Sequence, residues 1–159
     1  MAESRFRKNI VFVGENMPSV TPAQTRMWED QRQQGDYVEW NLMYAMQDSA
    51  VKGSFGVGGS WMVSMEGTKP VQIELAHTHD CDETLGFAGS NMANVDDLGG
   101  EIELWLEDEQ LIITRSCLVF IPKGMKHCPM FVRRVERPFF FFGSTVGDNY
   151  ERTWEENYR

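Results

Sequence analysis

The sequence that decides the fold is HTHDCDE at positions 77–83, followed by PKGMKH at positions 122–127. These two stretches contain all three histidines of the 159-residue chain. In the run VQIELAHTH that ends at His79, apolar residues and histidines occupy every second position, which is the pattern of a strand with one buried face. His77 and His79 are therefore expected to point inward together. Buried imidazoles need polar partners, so this strand predicts a functional site.

Two further groups in the same stretches complete a set of metal ligands. Glu83 offers a carboxylate and His127 a third imidazole, which gives three nitrogen donors and one oxygen donor. The turn Pro122-x-Gly124 supplies the bend that brings His127 round toward the other two histidines. A single inward histidine is more often a hydrogen-bonded core residue. Four potential ligands in two paired motifs favour a divalent transition metal, and ligand type alone does not choose among Fe, Mn, Zn, Ni and Cu.

Alternation with a period of two also predicts strands elsewhere in the chain. Tyr37 to Met46 alternates, with Val38, Trp40, Leu42, Tyr44 and Met46 on one face. Asn9 to Val13 is a short β-like run. Glycine, proline and acidic turns separate the other strand-like runs, which lie at 60–65, 71–79, 101–106, 111–114, 117–121, 130–135 and 139–146. Many short strands with regular turns predict an antiparallel sandwich or barrel.

One helix is predicted at about residues 22–34. Thr21 to Gln24 is a capping-box pattern, Pro22 stands at the first helical position, and Gly35 stands where a C-terminal cap belongs. Met27 and Trp28 are the main apolar residues of this segment. We therefore expect the helix to lie on the surface of the strand domain rather than in a helical bundle.

The pattern His-x-His-x3-Glu followed by Pro-x-Gly-x2-His resembles the two motifs of the cupin superfamily, over about residues 71–131. The resemblance implies an all-β, double-stranded β-helix (jelly-roll barrel), here with one short N-terminal helix. It also implies a small single-domain metal-binding cupin whose ligands are His77, His79, Glu83 and His127. We predict an N-terminal strand and helix extension at 1–36, the barrel at 37–150 and a C-terminal tail at 151–159. The sequence departs from the family pattern at positions that shape turns, namely Val71, Gly89, Ser116 and Phe131.

Other residues are candidates for the walls of a ligand pocket. Cys81 shares the parity of His77 and His79, so a regular strand would aim its sulfur inward, whereas a bulge would turn it outward and leave it a packing role. Arg133 has the parity of His127 and could clamp a carboxylate, but a solvated position is the stronger expectation because Pro129 interrupts the strand. Aromatic residues either line the cavity or fill the core, and the candidates are Trp61, Phe87, Trp105, Phe120 and Phe131.

Composition excludes several classes of function. Fifteen Lys and Arg against twenty-four Asp and Glu give a net charge of −9, which argues against a nucleic-acid partner. The longest apolar runs, at 118–122 and 139–142, fall far short of the roughly 20 residues that span a bilayer. Three cysteines without a CxxC pair fit neither a disulfide framework nor a typical zinc site, and we expect a cytoplasmic protein.

The leading functional hypothesis is a metal-dependent enzyme, an oxidoreductase of the dioxygenase type, that acts on a small organic acid or aromatic compound. The alternatives are a cupin that binds metal or a small ligand without catalysis, and a cupin isomerase or epimerase. Nothing resembles an added helix-turn-helix segment, which argues against a transcription factor. The early strands at 9–13 and 37–46 are expected to cover sheet edges, and a homodimer is a simple way to do so.

Overall fold

The computed structural model describes residues 5–17, 20–146 and 152–154, and for residues 42–44, 152 and 154 it describes the backbone only. A 3-10 turn at Arg7–Asn9 and one α-helix, α1 (Pro22–Gln33), precede the strands. The strands are β1 (Tyr37–Met46), β2 (Gly56–Glu66), β3 (Val71–Glu74), β4 (His77–His79), β5 (Glu83–Gly89), β6 (Asp97–Leu106), β7 (Glu109–Arg115), β8 (Cys117–Ile121), β9 (His127–Val135), β10 (Phe139–Thr145) and β11 (Arg152–Trp154).

The strands form two antiparallel sheets. The five-stranded sheet has the order β1-β2-β10-β5-β8, and the six-stranded sheet has the order β11-β4-β9-β6-β7 with β3 paired to β9. The core lies between the sheets, where Met62, Ile102, Leu104, Val132 and Phe139 are 0–1% exposed. The predicted all-β architecture with one α-helix is confirmed for the described part of the chain. No helix in the described ranges is long and apolar enough to cross a membrane.

The predicted helix forms with the predicted cap. The Thr21 side chain accepts from the backbone N–H of Gln24 at 3.2 Å, and the Gln24 side chain accepts from the Thr21 N–H at 2.9 Å. Pro22 occupies the first turn, and Gly35 beyond the C-terminus has a φ of +85°, which glycine adopts at little cost. The capping box therefore sets the N-terminus of α1 one residue after Thr21.

α1 packs on β3 through a few specific contacts. Met27 is fully buried, and the Trp28 ring N–H donates to the Ile73 carbonyl at 3.2 Å. Gln31 accepts from the Gln72 N–H at 2.7 Å and donates to the Gln72 carbonyl at 3.0 Å. The helix thereby hydrogen-bonds to backbone groups of β3, and it lies on the strand domain as expected.

Several features differ from the sequence prediction. The β-like run at 9–13 is not a strand, because Glu15 folds back and its carboxylate accepts from the Phe12 N–H at 2.9 Å, which leaves Phe12 56% exposed. In β1 the register shifts between Leu42 and Tyr44, so Ala45 is buried instead of following the predicted alternation. The run at 71–79 divides into β3 and β4.

Strand β5 was missed. Its sequence ETLGFAG contains two glycines and reads as a loop by propensity. In the structure the Phe142 ring of the neighbouring strand β10 lies over Gly86 and occupies the space that a side chain would need. Tertiary packing therefore makes a central strand of a sequence with weak local strand preference.

Candidate metal centre

The two motifs meet at one end of the barrel interior. β4 contributes His77 and His79, β5 begins with Glu83, and β9 begins with His127. β4 and β9 pair antiparallel with His77 opposite His127. The four residues are between 1% and 7% exposed, and one potential ligand atom from each lies within 4.8 Å of all the others. The structure thus brings together the four residues that the motifs identify.

Two backbone N–H groups of the turn before β9 donate hydrogen bonds to residues at the end of β4 and just after it. Gly124 has a φ of +79°, in the left-handed region that favours glycine, and its N–H donates to the His79 carbonyl at 2.9 Å. The adjacent Lys123 N–H donates to the Asp82 carboxylate at 2.9 Å. This turn directs the chain so that His127 faces His77.

Each imidazole is oriented by a backbone carbonyl. Nδ1 of His77 lies 2.8 Å from the Leu75 oxygen, Nδ1 of His79 lies 2.7 Å from the Cys81 oxygen, and Nδ1 of His127 lies 3.1 Å from the Met125 oxygen. A carbonyl oxygen only accepts, so Nδ1 must carry the ring proton in all three. When a ring carries its only proton on Nδ1, its Nε2 atom is an acceptor. Ligand histidines in metal sites are typically held in this way.

Two of these Nε2 atoms lie close to a carboxylate. Nε2 of His79 and Nε2 of His127 each lie 3.2 Å from Oε2 of Glu83. Burial raises the pKa of Glu83, but the hydrogen bonds and the positive charge that the His127 and His79 rings supply when they also carry a proton on Nε2 outweigh burial and hold that pKa at about 2. The carboxylate is therefore ionised at neutral pH.

This arrangement places acceptors against acceptors in a buried space. Neutral Nε2 atoms and an ionised carboxylate cannot hydrogen-bond to one another, and His127 Nε2 is buried without a hydrogen-bond partner. Such a group is stable only with extra protons or with a cation between its members. Metal bonds of about 2.0–2.2 Å keep neighbouring ligand atoms about 3 Å apart, which matches the 3.2 Å separations around Glu83. The four residues fit a single transition-metal ion.

Cys81 lies beside the four potential ligands, but its sulfur does not point in among them as it would on a regular strand. Its carbonyl, rather than its sulfur, is the close partner of His79, and Sγ lies 3.7 Å from His79 Nδ1. The side chain is half-buried, and burial followed by the charge of Glu83 raises the pKa of the Cys81 thiol. Cys81 therefore stands on the outer side of the His79 ring, opposite Nε2.

Most of the other pocket candidates lie away from the barrel interior. Phe87 is the exception, because it is buried in the core, where it stacks on Phe141 with ring centroids 5.3 Å apart. Phe120 is 61% exposed on the outer side of β8, and Trp61 packs against Phe140 on the outer side of β2. Trp105 donates its ring N–H to Glu103 at 2.8 Å on the outer side of β6.

Phe131 and Arg133 also point outward, which for Arg133 is the solvated position favoured by the sequence, and a bulge in β9 explains why parity suggested an inward direction. His127 pairs with Leu106 but Met130 pairs with Leu104, so one extra residue lies in β9 between these pairs. Parity counted from His127 is therefore reversed beyond the bulge, and Met130 rather than Phe131 is buried. Arg133 bonds to Glu101 at 2.8 Å and to Glu103 at 2.7 Å on the outer face, so it is not a clamp for a ligand inside the barrel.

Two residues near the site escaped the sequence analysis. Asp82 caps the Lys123 N–H, a role that a turn-forming acidic residue could have suggested. Gly143 lies near Glu83, and a Cβ there would stand 3.5 Å from the Glu83 Oε1 atom. A glycine that interrupts the apolar run of β10 is a recognised sign of close approach. Gly143 leaves room beside the carboxylate.

The described cavities lie away from this group. A cavity of about 230 Å³ lies between α1, β1 and β3 and includes Trp28, Trp40 and Arg32. A second, of about 660 Å³, lies at the polar surface around Gln34 and Lys69. Neither is lined by the four residues, so the chemistry of the donor set rather than cavity size identifies the centre.

Comparisons with known proteins agree with this architecture. No family model matches the sequence, and no curated protein sequence matches it. A sugar phosphate isomerase of the cupin superfamily from Silicibacter pomeroyi is similar in structure, with a TM-score of 0.54 and 16% identity over 89% of this chain and 76% of that one. An oxalate oxidase in complex with the substrate analogue glycolate has a TM-score of 0.50 and 11% identity over 97% of this chain and 67% of that one. The chain therefore has the fold of the cupin superfamily, as its two motifs predict.

Proposed function

We propose that the chain is a divalent-metal-dependent enzyme in which His77, His79, Glu83 and His127 hold the ion. The observation that carries the proposal is the buried convergence of three imidazoles and one carboxylate, within 4.8 Å of one another. The ligand types favour Fe, Mn, Zn or Ni over Mg or Ca, because imidazole nitrogen suits transition metals.

The backbone carbonyls and Glu83 have separate roles in this proposal. The carbonyls of Leu75, Cys81 and Met125 fix the proton of each ring on Nδ1 and turn Nε2 toward the ion. Glu83 supplies the one negative charge among the four ligands. Three neutral imidazoles and one carboxylate leave a divalent site with a net charge of +1. A small organic anion is therefore favoured there over a neutral or cationic molecule.

The reaction type that we propose is a dioxygenase-like oxidation of a small organic acid or aromatic compound. Four protein ligands leave positions open on a six-coordinate ion, which is the arrangement of a catalytic rather than a structural site. When bound, such an ion supplies Lewis acidity toward a carboxylate or phenolate and, if redox-active, access to oxidation by dioxygen. The oxalate oxidase with glycolate, a small organic acid, supports this choice at the level of fold.

A second candidate is a cupin that binds metal or a small ligand without catalysis. Its support is the deep burial of the group, 1–7% exposed, and the position of both described cavities elsewhere. An isomerase is a further alternative, supported by the sugar phosphate isomerase among the similar structures. The metal-dependent enzyme and the non-catalytic metal-binding cupin differ in whether they turn over a substrate, and not in the metal that they bind.

Metal analysis and oxygen consumption distinguish these candidates. Chelator-treated protein is loaded with Fe(II), Mn(II), Ni(II) or Zn(II), and bound metal per chain is measured after desalting. The loaded forms are then assayed in an oxygen electrode with mono- and dicarboxylic acids and phenols. The proposal predicts about one ion per chain and metal-dependent oxygen uptake with one compound class. One bound ion with no oxygen uptake by any form would reject the dioxygenase, and absence of bound metal would reject the metal site.

A further inference from the structure

The outer face of the five-stranded sheet carries no charged residue across four neighbouring strands. Residues that point away from the core on β8, β5, β10 and the paired part of β2 are apolar, glycine, serine or threonine. All of these strands lie in the described part of the chain. The largest of these residues, with the exposed Ala88, are Leu118, Phe120, Phe140, Phe142 and Trp61. We call this surface the uncharged face.

The uncharged face is flat because glycines lie beneath its aromatic rings. The Phe140 ring rests on Gly59 and the Phe142 ring rests on Gly86, where a Cβ would collide with each ring. The Phe140 and Phe142 rings lie 6.3 Å apart, with their planes inclined by 30°. Trp61 continues the row, 5.3 Å from Phe140. The rings lie along the sheet instead of standing out from it, which leaves a surface suited to another flat surface.

Exposure is largest at the edge strand β8. Leu118 is 69% exposed and Phe120 is 61% exposed, on neighbouring outward positions of one short strand. Contiguous apolar patches of this kind are uncommon on monomers and typically mark an interaction surface. The face thus presents apolar area that water contacts in a single chain.

The other sheet shows that such a face is not a general property of this protein. On its outer side Arg133 pairs with Glu101 and Glu103, and Arg134 pairs with Glu101 and Glu136. Ion pairs of this kind keep a sheet face in water. A quarter of all residues in the chain are charged, yet the uncharged face has none at its outward positions.

We propose that two copies of this chain pack against each other through the uncharged face. Each copy has a net charge of −9, so two copies repel over most of their surfaces and can approach closely only where charge is absent. Nucleic acids and anionic membranes require basic residues, which this face does not offer. Two flat sheet faces can stack at about 10 Å, as in a β-sandwich, and a two-fold axis would make the contact self-complementary.

The proposal requires contact across the face and not merely pairing of two β8 edges. Ala88 distinguishes the two arrangements, because it is exposed on the central strand β5 and pairs with Phe140 rather than lying at the edge. A carboxylate at position 88 would be buried without a partner in a face-to-face dimer, whereas it would remain in water if only the β8 edges paired.

The test is the oligomeric state of the full chain and three variants, measured by analytical ultracentrifugation from roughly 1 to 100 µM. Ala88→Glu and Phe120→Glu place a carboxylate on the uncharged face. Ile112→Glu is the matched control, because Ile112 is 48% exposed on the outer side of the other sheet. Thermal unfolding of each variant shows whether it is folded, and no core residue is changed.

The expected result is a wild-type particle of twice the 18.3 kDa chain mass. Ala88→Glu and Phe120→Glu should weaken the dimer by more than about 100-fold in Kd, because each dimer would bury two unpaired charges. Ile112→Glu should remain dimeric, and added salt should tighten the wild-type dimer by screening the repulsion between copies. A monomeric wild type at all concentrations would overturn the proposal, as would a dimer that survives Ala88→Glu or one that Ile112→Glu disrupts equally.

Discussion

The barrel interior contains two buried regions of opposite chemical character. In one, Ile102, Leu104, Val132 and Phe139 are fully buried and require no partner beyond close packing. In the other, His77, His79, Glu83 and His127 are almost as deeply buried, but the atoms that face one another are all acceptors when the imidazoles are neutral. Burial of apolar side chains stabilises the fold, whereas burial of facing acceptors opposes it. The comparison indicates that the first region holds the fold together, and it supports the proposal that the second region binds an ion.

The largest expected effect is loss of metal on removal of a histidine. His77→Ala deletes one of four ligand bonds, and we expect metal affinity to fall by more than about 100-fold, since loss of even an outer-shell partner often costs 10-fold to 100-fold. The free energy of unfolding without metal should change by no more than about 1 kcal/mol, because a buried polar group is removed as well as packing. Metal titration by calorimetry and urea unfolding measure the two quantities. Wild-type affinity in His77→Ala would show that this imidazole is not a ligand.

The matched change in the apolar region should have the reverse profile. Leu104→Ala leaves a cavity in the core and should lower the free energy of unfolding by about 2–5 kcal/mol. Metal affinity of the folded variant should stay within a few-fold of wild type, since Leu104 is not among the four potential ligands. Urea unfolding with and without metal tests this separation. Equal losses of stability and affinity would mean that the two regions act as one unit.

A smaller effect is expected from the loop that positions His127. Asp82→Ala removes the acceptor of the Lys123 N–H and should loosen the turn that leads into β9. We expect metal affinity to fall by up to about 10-fold, at the lower end of the effect of outer-shell partners. Asp80→Ala is the control, because Asp80 forms only an exposed ion pair with the Lys123 side chain. If both variants bind metal equally well, the backbone cap does not position the site.

The smallest effect is expected at Asp36, whose carboxylate accepts hydrogen bonds from backbone N–H groups. Asp36 accepts from the Thr68 and Lys69 N–H groups, at 3.0 and 3.2 Å, and these bonds hold the pKa of Asp36 below its ordinary 3.8. A lowered pKa in the folded state contributes stability above the unfolded pKa, and that contribution is lost as pH falls through the folded pKa. Melting temperatures measured at pH 6, 4 and 3 should therefore decline more in wild type than in Asp36→Asn. Parallel declines would exclude Asp36 as a source of the acid sensitivity.

Local sequence patterns predicted the elements whose determinants are short in range. The capping box at Thr21 placed α1, and the alternation before His77 placed both histidines inward. The two motifs identified four residues that the structure brings together, although they lie on three strands. Each of these inferences needed only a few neighbouring residues.

The features that escaped prediction depend on distant parts of the chain. The bulge in β9 is visible only against its partner β6, so parity counted from His127 placed Phe131 on the wrong face of the strand. Strand β5 forms because the Phe142 ring fills the space above Gly86, and the residues of β5 alone do not indicate this. The backbone carbonyls that orient the imidazoles carry no side-chain signal at all.

Metal content of wild type and Glu83→Gln tests the central claim most directly. Both proteins are chelated, loaded with Zn(II), desalted and analysed for metal per chain. Glutamine keeps the shape of Glu83 and deletes its charge, so it replaces a carboxylate ligand by a much weaker neutral amide oxygen with little change in packing. The account predicts about one ion per wild-type chain and a large loss of occupancy in Glu83→Gln. A wild type that retains no metal, or a Glu83→Gln variant that retains it fully, would contradict a centre made by three histidines and Glu83.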